Sequence, residues 1–206
     1  MAASAKSPEA KKRLILNAAR RLLVARGFQD IVLDDVARKA GVAKGTLFLY
    51  YKSKDELFSA AFGDLADQLG RRLDEVLGSG LRGRAVLSEA VRVILSHLDL
   101  NHDFMSHFGA GKFPACSARS SGRLLDKCRE NNRRIGRILR LCAEDGILAS
   151  GDFIYESAAL FGLCRGAMLE RLMRGSAEPL AERTGQVLGF FLHGAKPKRP
   201  APEPPR

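Results

Sequence analysis

The chain has 206 residues, of which 46% are hydrophobic and 28% charged, and its formal net charge is +11. This composition is typical of a globular protein, and no run of about 18 consecutive apolar residues is present to predict a membrane-spanning helix. Residues 1–60 carry 12 basic and 6 acidic side chains, so the basic excess indicates a polyanionic partner, nucleic acid first and an anionic membrane surface second. The N-terminus resembles neither a secretory signal nor a lipidation motif, and we expect a cytoplasmic protein.

The first two predicted elements are amphipathic helices. Apolar residues recur every four positions within Pro8–Arg26, and Gly27 follows where a left-handed helix cap belongs. A shorter apolar stripe predicts a second helix of about two turns over Leu33–Ala40, closed by Gly41.

A third helix, over residues 44–51, is too short to be stable alone. Leu47 and Tyr51 are four residues apart and share one face, so we expect the helix to dock through them. Two short helices joined by a glycine turn are typical of a helix-turn-helix. The remaining outward positions are Lys44, Gly45, Phe48, Leu49 and Lys52.

These outward residues suit a nucleic-acid surface. Lys44 can reach guanine acceptors or phosphate, Gly45 permits close approach of the backbone, and Leu49 can pack on a thymine methyl group. Tyr50 can donate its hydroxyl to phosphate. The predicted DNA-binding residues are Lys44, Gly45, Thr46, Phe48, Leu49, Tyr50, Lys52 and Lys54. The alternatives are a solvated charged face for the lysines and ordinary packing for the two apolar side chains.

The rest of the chain also has helical patterns. Ser53 as N-cap and Glu56 at the third helical position form a capping box that begins a long helix ending near Gly78. Glycine, serine and proline then separate five more predicted helices, over 81–99, 101–110, 118–145, 152–175 and 178–193. Five of the eight prolines lie in residues 195–206, which predicts a disordered, basic tail.

The segment Gly41–Leu57, GVAKGTLFLYYKSKDEL, resembles the DNA-binding signature of the tetracycline-repressor (TetR) family, and the resemblance covers about residues 11–62. It implies an all-α fold: a three-helix DNA-binding domain with a helix-turn-helix at 8–52, and a larger helical effector-binding and dimerisation domain at 53–194. The chain departs from the family pattern at Val32 and Ala43, where the family often has hydroxyl side chains, and at Phe48, which replaces a common tyrosine.

The resemblance implies a homodimeric transcriptional regulator, most often a repressor, that binds a palindromic operator and is released by a small molecule. Two alternatives stay open: a non-specific DNA-binding protein and a ligand-dependent activator. The last two helices are implied to pair with their copies, unless their small residues make only intrachain contacts. The predicted dimer-interface residues are Ala158, Gly162, Gly166, Val187 and Phe191.

A cluster of apolar residues flanked by glycines in the region 104–113 resembles the mouth of an apolar pocket, although a plain core patch explains it equally well. An inward asparagine or arginine on a later helix could fix a polar group of the effector. The predicted effector-binding residues are Phe104, Met105, Phe108, Phe113, Cys128, Asn131, Phe161 and Arg165.

No pattern supports an enzyme. The glycine motif at 78–83 follows a helix rather than a strand, and no nucleophile elbow, Walker loop or paired His-Glu motif occurs. The histidines at 97, 102 and 107 turn away from one another on a helix, so only Asp99 and Asp103 leave a weak metal candidate. The four cysteines are too widely spaced for a metal motif and predict reduced, mostly buried thiols. We therefore predict no catalytic residue, metal or cofactor.

Overall fold

The computed structural model describes residues 7–104 and 118–194. This part of the chain contains α-helices, one 3₁₀ helix and no β-strand, which confirms the predicted all-α class. None of its helices is both long and apolar enough to cross a lipid bilayer. The helices are α1 (Pro8–Arg26), α2 (Leu33–Ala40), α3 (Lys44–Tyr50), α4 (Lys54–Gly78), α5 (Gly83–Leu100), α6 (Ala118–Glu144), α7 (Ile154–Arg174), the 3₁₀ helix (Leu180–Arg183) and α8 (Thr184–His193).

Two predicted elements need separate comment. The predicted helix at 101–110 is helical over residues 102–104, and the rest of it lies outside the described residues. The predicted helix at 178–193 is divided, because the 3₁₀ helix precedes α8. The tail 195–206, Met105, Phe108, Phe113 and Cys116 also lie outside the described residues.

Local sequence signals fix the first helix ends. The Ser7 hydroxyl accepts the Ala10 N–H at 3.1 Å and caps α1. At the other end Gly27 has the expected positive φ of 76°, but its ψ of 167° is extended rather than left-handed helical. Gly41 does adopt the left-handed helical conformation, with φ 65° and ψ 33°, and it turns the chain from α2 toward α3.

The buried side chains form two cores that meet inside α4. The first core contains the buried apolar side chains between Ile15 and Leu65, together with Phe104. The second core contains the other buried apolar side chains, which lie between Leu69 and Leu188. The predicted domain boundary at Ser53 therefore falls at the start of a helix that both cores share. The N-terminal half of α4 packs with α1–α3, and its C-terminal half packs with α5 and α6.

Helix α6 is fastened along α4 by polar contacts. The Asn131 amide donates to the Ala66 carbonyl at 2.8 Å, and Arg134 pairs with Asp74 at 2.9 Å. A Cβ added at Gly70 would lie 2.8 Å from the Asn131 Oδ1 atom, so this close approach requires glycine. These contacts join α6 to α4, the helix that enters both cores.

Candidate DNA-binding surface and effector region

Helix α3 is positioned by two buried side chains. Leu47 is 0% and Tyr51 is 4% exposed, and both belong to the first core. This confirms the face predicted from their spacing. Seven residues do not form a stable helix alone, so this packing holds α3 in place and decides which of its side chains face outward.

The outward face of α3 presents lysine side chains, one exposed leucine and a glycine that leaves the backbone accessible. Lys44, Gly45 and Lys52 are exposed, and Leu49 is 78% exposed. Thr46 and Phe48 are half-buried. The Lys44 ammonium pairs with Asp34 at 2.8 Å, but both side chains are more than half exposed. Exposed ion pairs contribute little to stability, so this lysine can exchange its partner for a nucleic-acid acceptor at small cost.

A substitution at Gly45 can change DNA binding without disturbing the fold, because a Cβ at this position would meet nothing within 4 Å. We expect Gly45→Ala to leave the free energy of unfolding unchanged or raise it by up to about 1 kcal/mol, since alanine favours helix. DNA affinity should fall by about 1–3 kcal/mol if the backbone packs against DNA at this point. Urea unfolding and fluorescence anisotropy with labelled duplex measure the two effects.

The matched control is Gly41→Ala, which also meets no neighbouring atom but has φ 65°. It should lower stability by about 1–2 kcal/mol, because a side chain is strained in that conformation. If Gly45→Ala bound DNA as well as the wild type, close approach at α3 would be disproved.

Tyr50 has a partner within the domain. Its hydroxyl donates to the Pro8 carbonyl at 3.3 Å and ties the end of α3 to the start of α1. We predicted a phosphate contact for this hydroxyl, and that contact would require it to leave Pro8. At the N-terminal ends of α2 and α3, Val32 and Ala43 make no side-chain cap.

The capping box at the start of α4 is present in a modified form. Ser53 Oγ accepts the Glu56 N–H at 3.1 Å, as predicted. The Glu56 carboxylate accepts the Lys52 N–H at 2.9 Å, which is one residue before the N–H that a standard capping box would use. These contacts place Lys52 and α4 in fixed positions beside α3.

Lys54 has a structural role that sequence reasoning did not identify. Its ammonium donates to the carbonyls of Phe28, Gln29 and Ile31 at 2.7, 3.2 and 3.1 Å and lies 4.4 Å from the centre of the Phe28 ring. An ammonium has three N–H donors, so these carbonyls engage all of them. The side chain thus closes the loop after α1, and its predicted contact with DNA would require it to leave these carbonyls.

We expect Lys54→Met to lower the free energy of unfolding by about 2 kcal/mol, because it keeps the packing on Phe28 but removes hydrogen bonds from a charged donor. Lys52→Met is the control, since that lysine is exposed and should change stability by less than about 0.5 kcal/mol. Urea unfolding measures both variants. Equal stability of the two would show that the three carbonyl contacts contribute nothing.

The predicted effector residues that the structure describes (Phe104, Cys128, Asn131, Phe161 and Arg165) do not line one common cavity. Phe104 is buried in the first core, with its ring centre 4.2 Å from that of Phe62. Asn131 is buried against α4 and lines a small cavity there. Phe161 packs partly against the second core, and Cys128 and Arg165 are exposed. Although Cys128 as a whole residue is exposed, partial desolvation of its sulfur raises the pKa of the thiol, and the nearby Arg165 charge opposes this rise.

Most of the predicted dimer-interface residues form one face. Ala158, Gly162 and Gly166 are exposed on α7, and a Cβ at either glycine would meet nothing within 4 Å. On α8, however, Val187 is 5% exposed in the core of its own subunit and Phe191 is partly buried there. Phe190 is 50% exposed and is the aromatic side chain that α8 presents outward.

The weak metal candidate does not form a site. Asp99 accepts from Arg171 through one oxygen and from the Leu180 N–H at 3.0 Å through the other. The His102 ring lies 3.0 Å from Asp103. No group of three potential metal-ligating side chains occurs within residues 7–104 and 118–194.

The sequence similarity to known proteins begins with the N-terminal helices. Residues 15–61 match the family model described as bacterial regulatory proteins, tetR family. The HTH-type transcriptional regulator YhgD of Bacillus subtilis is 33% identical over 85 residues, 41% of this chain and 44% of that protein. The HTH-type transcriptional repressor KstR2 of Rhodococcus jostii is 28% identical over 88 residues, 43% of each protein. The chain thus spans less than half the length of these curated relatives.

The similarity in fold extends further. The crystal structure of the transcriptional regulator FadR from Bacillus subtilis in complex with stearoyl-CoA superimposes with a TM-score of 0.77 at 19% identity. The superposition covers 89% of this chain and 99% of that chain. The overall arrangement of helices is therefore shared at low sequence identity.

Proposed function

We propose that this chain, whose residues 15–61 match the model of the tetR family of bacterial regulatory proteins, is a member of that family and a sequence-specific transcriptional regulator that binds DNA as a dimer. It acts as a repressor, and a small-molecule effector releases it from a palindromic operator. The observation that carries this proposal is α3, a short helix held by the buried Leu47 with Lys44, Gly45 and Leu49 exposed. A helix of this kind can enter the major groove and contact base edges.

The dimer is proposed from the exposed face of α7 and α8. Ala158, Gly162 and Gly166 form a flat strip, and Met173 is 79% and Phe190 50% exposed beside it. A face with small residues and bare aromatic and aliphatic side chains suits close packing of helices from a second copy. Two-fold pairing would present two copies of α3 to half-sites about 34–36 Å apart on DNA.

Effector control is proposed through α4. This helix enters both cores and is fastened to α6 by Asn131 and Arg134, so a ligand that moves the body can rotate the DNA-binding helices. The FadR structure contains stearoyl-CoA, which supports a ligand-binding body in this fold and makes that compound the first to test. A releasing effector must bind the free protein more tightly than the DNA-bound protein, by the factor through which it weakens DNA binding.

The function is tested by selecting bound duplexes from a random DNA pool at about physiological salt, where non-specific affinity is weak, with a Kd of about 10⁻⁴–10⁻⁶ M. Enrichment of one inverted repeat is expected from a sequence-specific dimer. Binding without enrichment, falling steeply with salt, would instead establish a non-specific DNA-binding protein. A duplex that binds only when ligand is added would establish ligand-dependent activation of DNA binding.

A further inference from the structure

A row of arginines lies along one side of α6. Arg129, Arg133, Arg137 and Arg140 are spaced by four, four and three residues, which places them on the same helical face. All four are exposed, and all four line a cavity of about 480 Å³ between α6 and the start of α7. None of the predicted dimer-interface or effector residues lines this cavity.

Two of the four arginines that line this cavity have carboxylate partners, and two do not. Arg129 and Arg133 pair with carboxylates one helical turn away, but those pairs are exposed and weak. Arg137 and Arg140 have no ion-pair partner within the described part of the chain.

Acidic groups near the cavity are already engaged. Asp152 is the one carboxylate that lines it, and its Oδ1 atom accepts the Ile154 N–H at 3.1 Å. Glu144 adjoins Arg137 and Arg140 in a neighbouring cavity and lies 3.6 Å from Arg82. Because neighbouring carboxylates already engage Arg129 and Arg133, the free positive charge comes from Arg137 and Arg140, and two such guanidinium groups favour an anion bearing more than one negative charge.

The floor of the cavity is apolar, and α6 and α7 pack closely beneath it. Phe153 is 4% exposed, and it is the one non-glycine residue of the described chain with a positive φ, at 61°. Its carbonyl oxygen lies 3.7 Å from where a Cβ of Gly136 would be, so α6 and α7 come close together here. Ile154, 74% exposed, stands at the rim. The positive φ of Phe153 is a backbone strain, which costs of the order of 1–3 kcal/mol and is frequent at ligand sites.

From the arginine row and the apolar floor we infer a binding site for a small organic diphosphate, an ester with two adjacent phosphate groups and an apolar group. The two unpaired guanidiniums of Arg137 and Arg140 bind the phosphates through paired N–H donors. The apolar group lies against Phe153 and Ile154. This site goes beyond the proposed regulatory function, and its occupancy can be measured on the full chain without DNA.

The test uses three matched probes in isothermal titration calorimetry: geranyl diphosphate, inorganic pyrophosphate and geraniol. We expect geranyl diphosphate to bind most tightly, pyrophosphate more weakly, and geraniol least, with affinity for the diphosphates falling as salt is raised. Absence of geranyl diphosphate binding at low salt would overturn the inference. Equal binding of the ester and pyrophosphate would also contradict it, because the apolar floor would then have no role.

Charge-removing variants locate the site. Arg137→Gln and Arg140→Gln should each weaken geranyl diphosphate binding roughly tenfold or more, whereas Arg84→Gln, at an exposed arginine of α5 outside this cavity, should leave it unchanged. Thermal unfolding checks that all three variants fold. Equal losses in all three would show a general charge effect and overturn the site.

Two further outcomes would assign the arginine row to another partner. Binding to phosphatidylglycerol vesicles without binding of the soluble diphosphate would identify a lipid headgroup surface. If Arg137→Gln weakened binding to duplex DNA by as much as it weakened diphosphate binding, the row would belong to DNA. Either result would contradict the inference.

Discussion

Replacing Asp99 by alanine is expected to lower the free energy of unfolding by about 3–5 kcal/mol, because it leaves Arg171 charged and buried without its partner. Arg171 is 7% exposed, and its guanidinium contacts the Asp99 carboxylate and the Glu178 carbonyl. The same carboxylate accepts the Leu180 N–H. One side chain at the end of α5 therefore joins α7 to the 3₁₀ helix that leads into α8.

The control for this variant is Asp126→Ala, which removes a carboxylate from an ion pair whose two side chains are 71% and 65% exposed. We expect this change to cost less than about 1 kcal/mol. Urea unfolding at one fixed protein concentration is the measurement, since the proposed dimer would make stability depend on concentration. Similar costs for the two variants would show that burial of Arg171 does not govern this contact.

Acidification is expected to destabilise the protein through His97. This side chain is 5% exposed on α5, and burial, assisted by the charges of Arg72 and Arg20, lowers its pKa to about 4. An unfolded histidine titrates near pH 6.5. The unfolded chain therefore binds a proton that the folded chain does not between about pH 6.5 and 4. Burial of the neutral His97 therefore carries no proton-linked cost above pH 6.5. As the pH falls through that window, the free energy of unfolding decreases by about 3 kcal/mol.

The measurement is the free energy of unfolding at intervals from pH 7.5 to 4.5 for the wild type, His97→Gln and His193→Gln. His97→Gln should flatten the profile within the window, because glutamine does not titrate. His193 is exposed, and its variant should follow the wild-type profile. A wild-type slope retained by His97→Gln would contradict the assignment of the acid sensitivity to this histidine.

Features that depend on neighbours in sequence could be predicted. The buried face of α3 follows from the spacing of Leu47 and Tyr51, and the start of α4 follows from Ser53, because helical periodicity and caps are local. The positive φ of Gly41 follows from its place after a short apolar stripe. These features fix the outline of the helices around α3.

Contacts between distant segments could not be predicted. The sequence spacing of Lys54 from the carbonyls it binds is 23–26 residues, and that of Asp99 from Arg171 is 72 residues. No local pattern distinguishes such a lysine from a DNA-binding one. The amide of Asn131 joins α6 to α4, a contact that no local pattern indicates, and the predicted effector contact of this residue stays a prediction.

The residues predicted for the interface on α8 belong to one apolar stripe. A sequence pattern shows that such a face is buried, but it does not show whether the face packs within the subunit or against a second copy. In the structure Val187 packs into the core of its own subunit, and Phe190 is exposed.

The central claim is that the outward face of α3 distinguishes one DNA sequence from another, and Lys44→Ala tests it most directly. Anisotropy titrations would compare a selected duplex with a scrambled duplex of the same composition, at one salt concentration. We expect Lys44→Ala to cost about 1–3 kcal/mol on the selected duplex and much less on the scrambled one. Lys39→Ala, an exposed lysine of α2, should affect both duplexes alike. Equal losses on the two duplexes for Lys44→Ala would contradict sequence reading by α3.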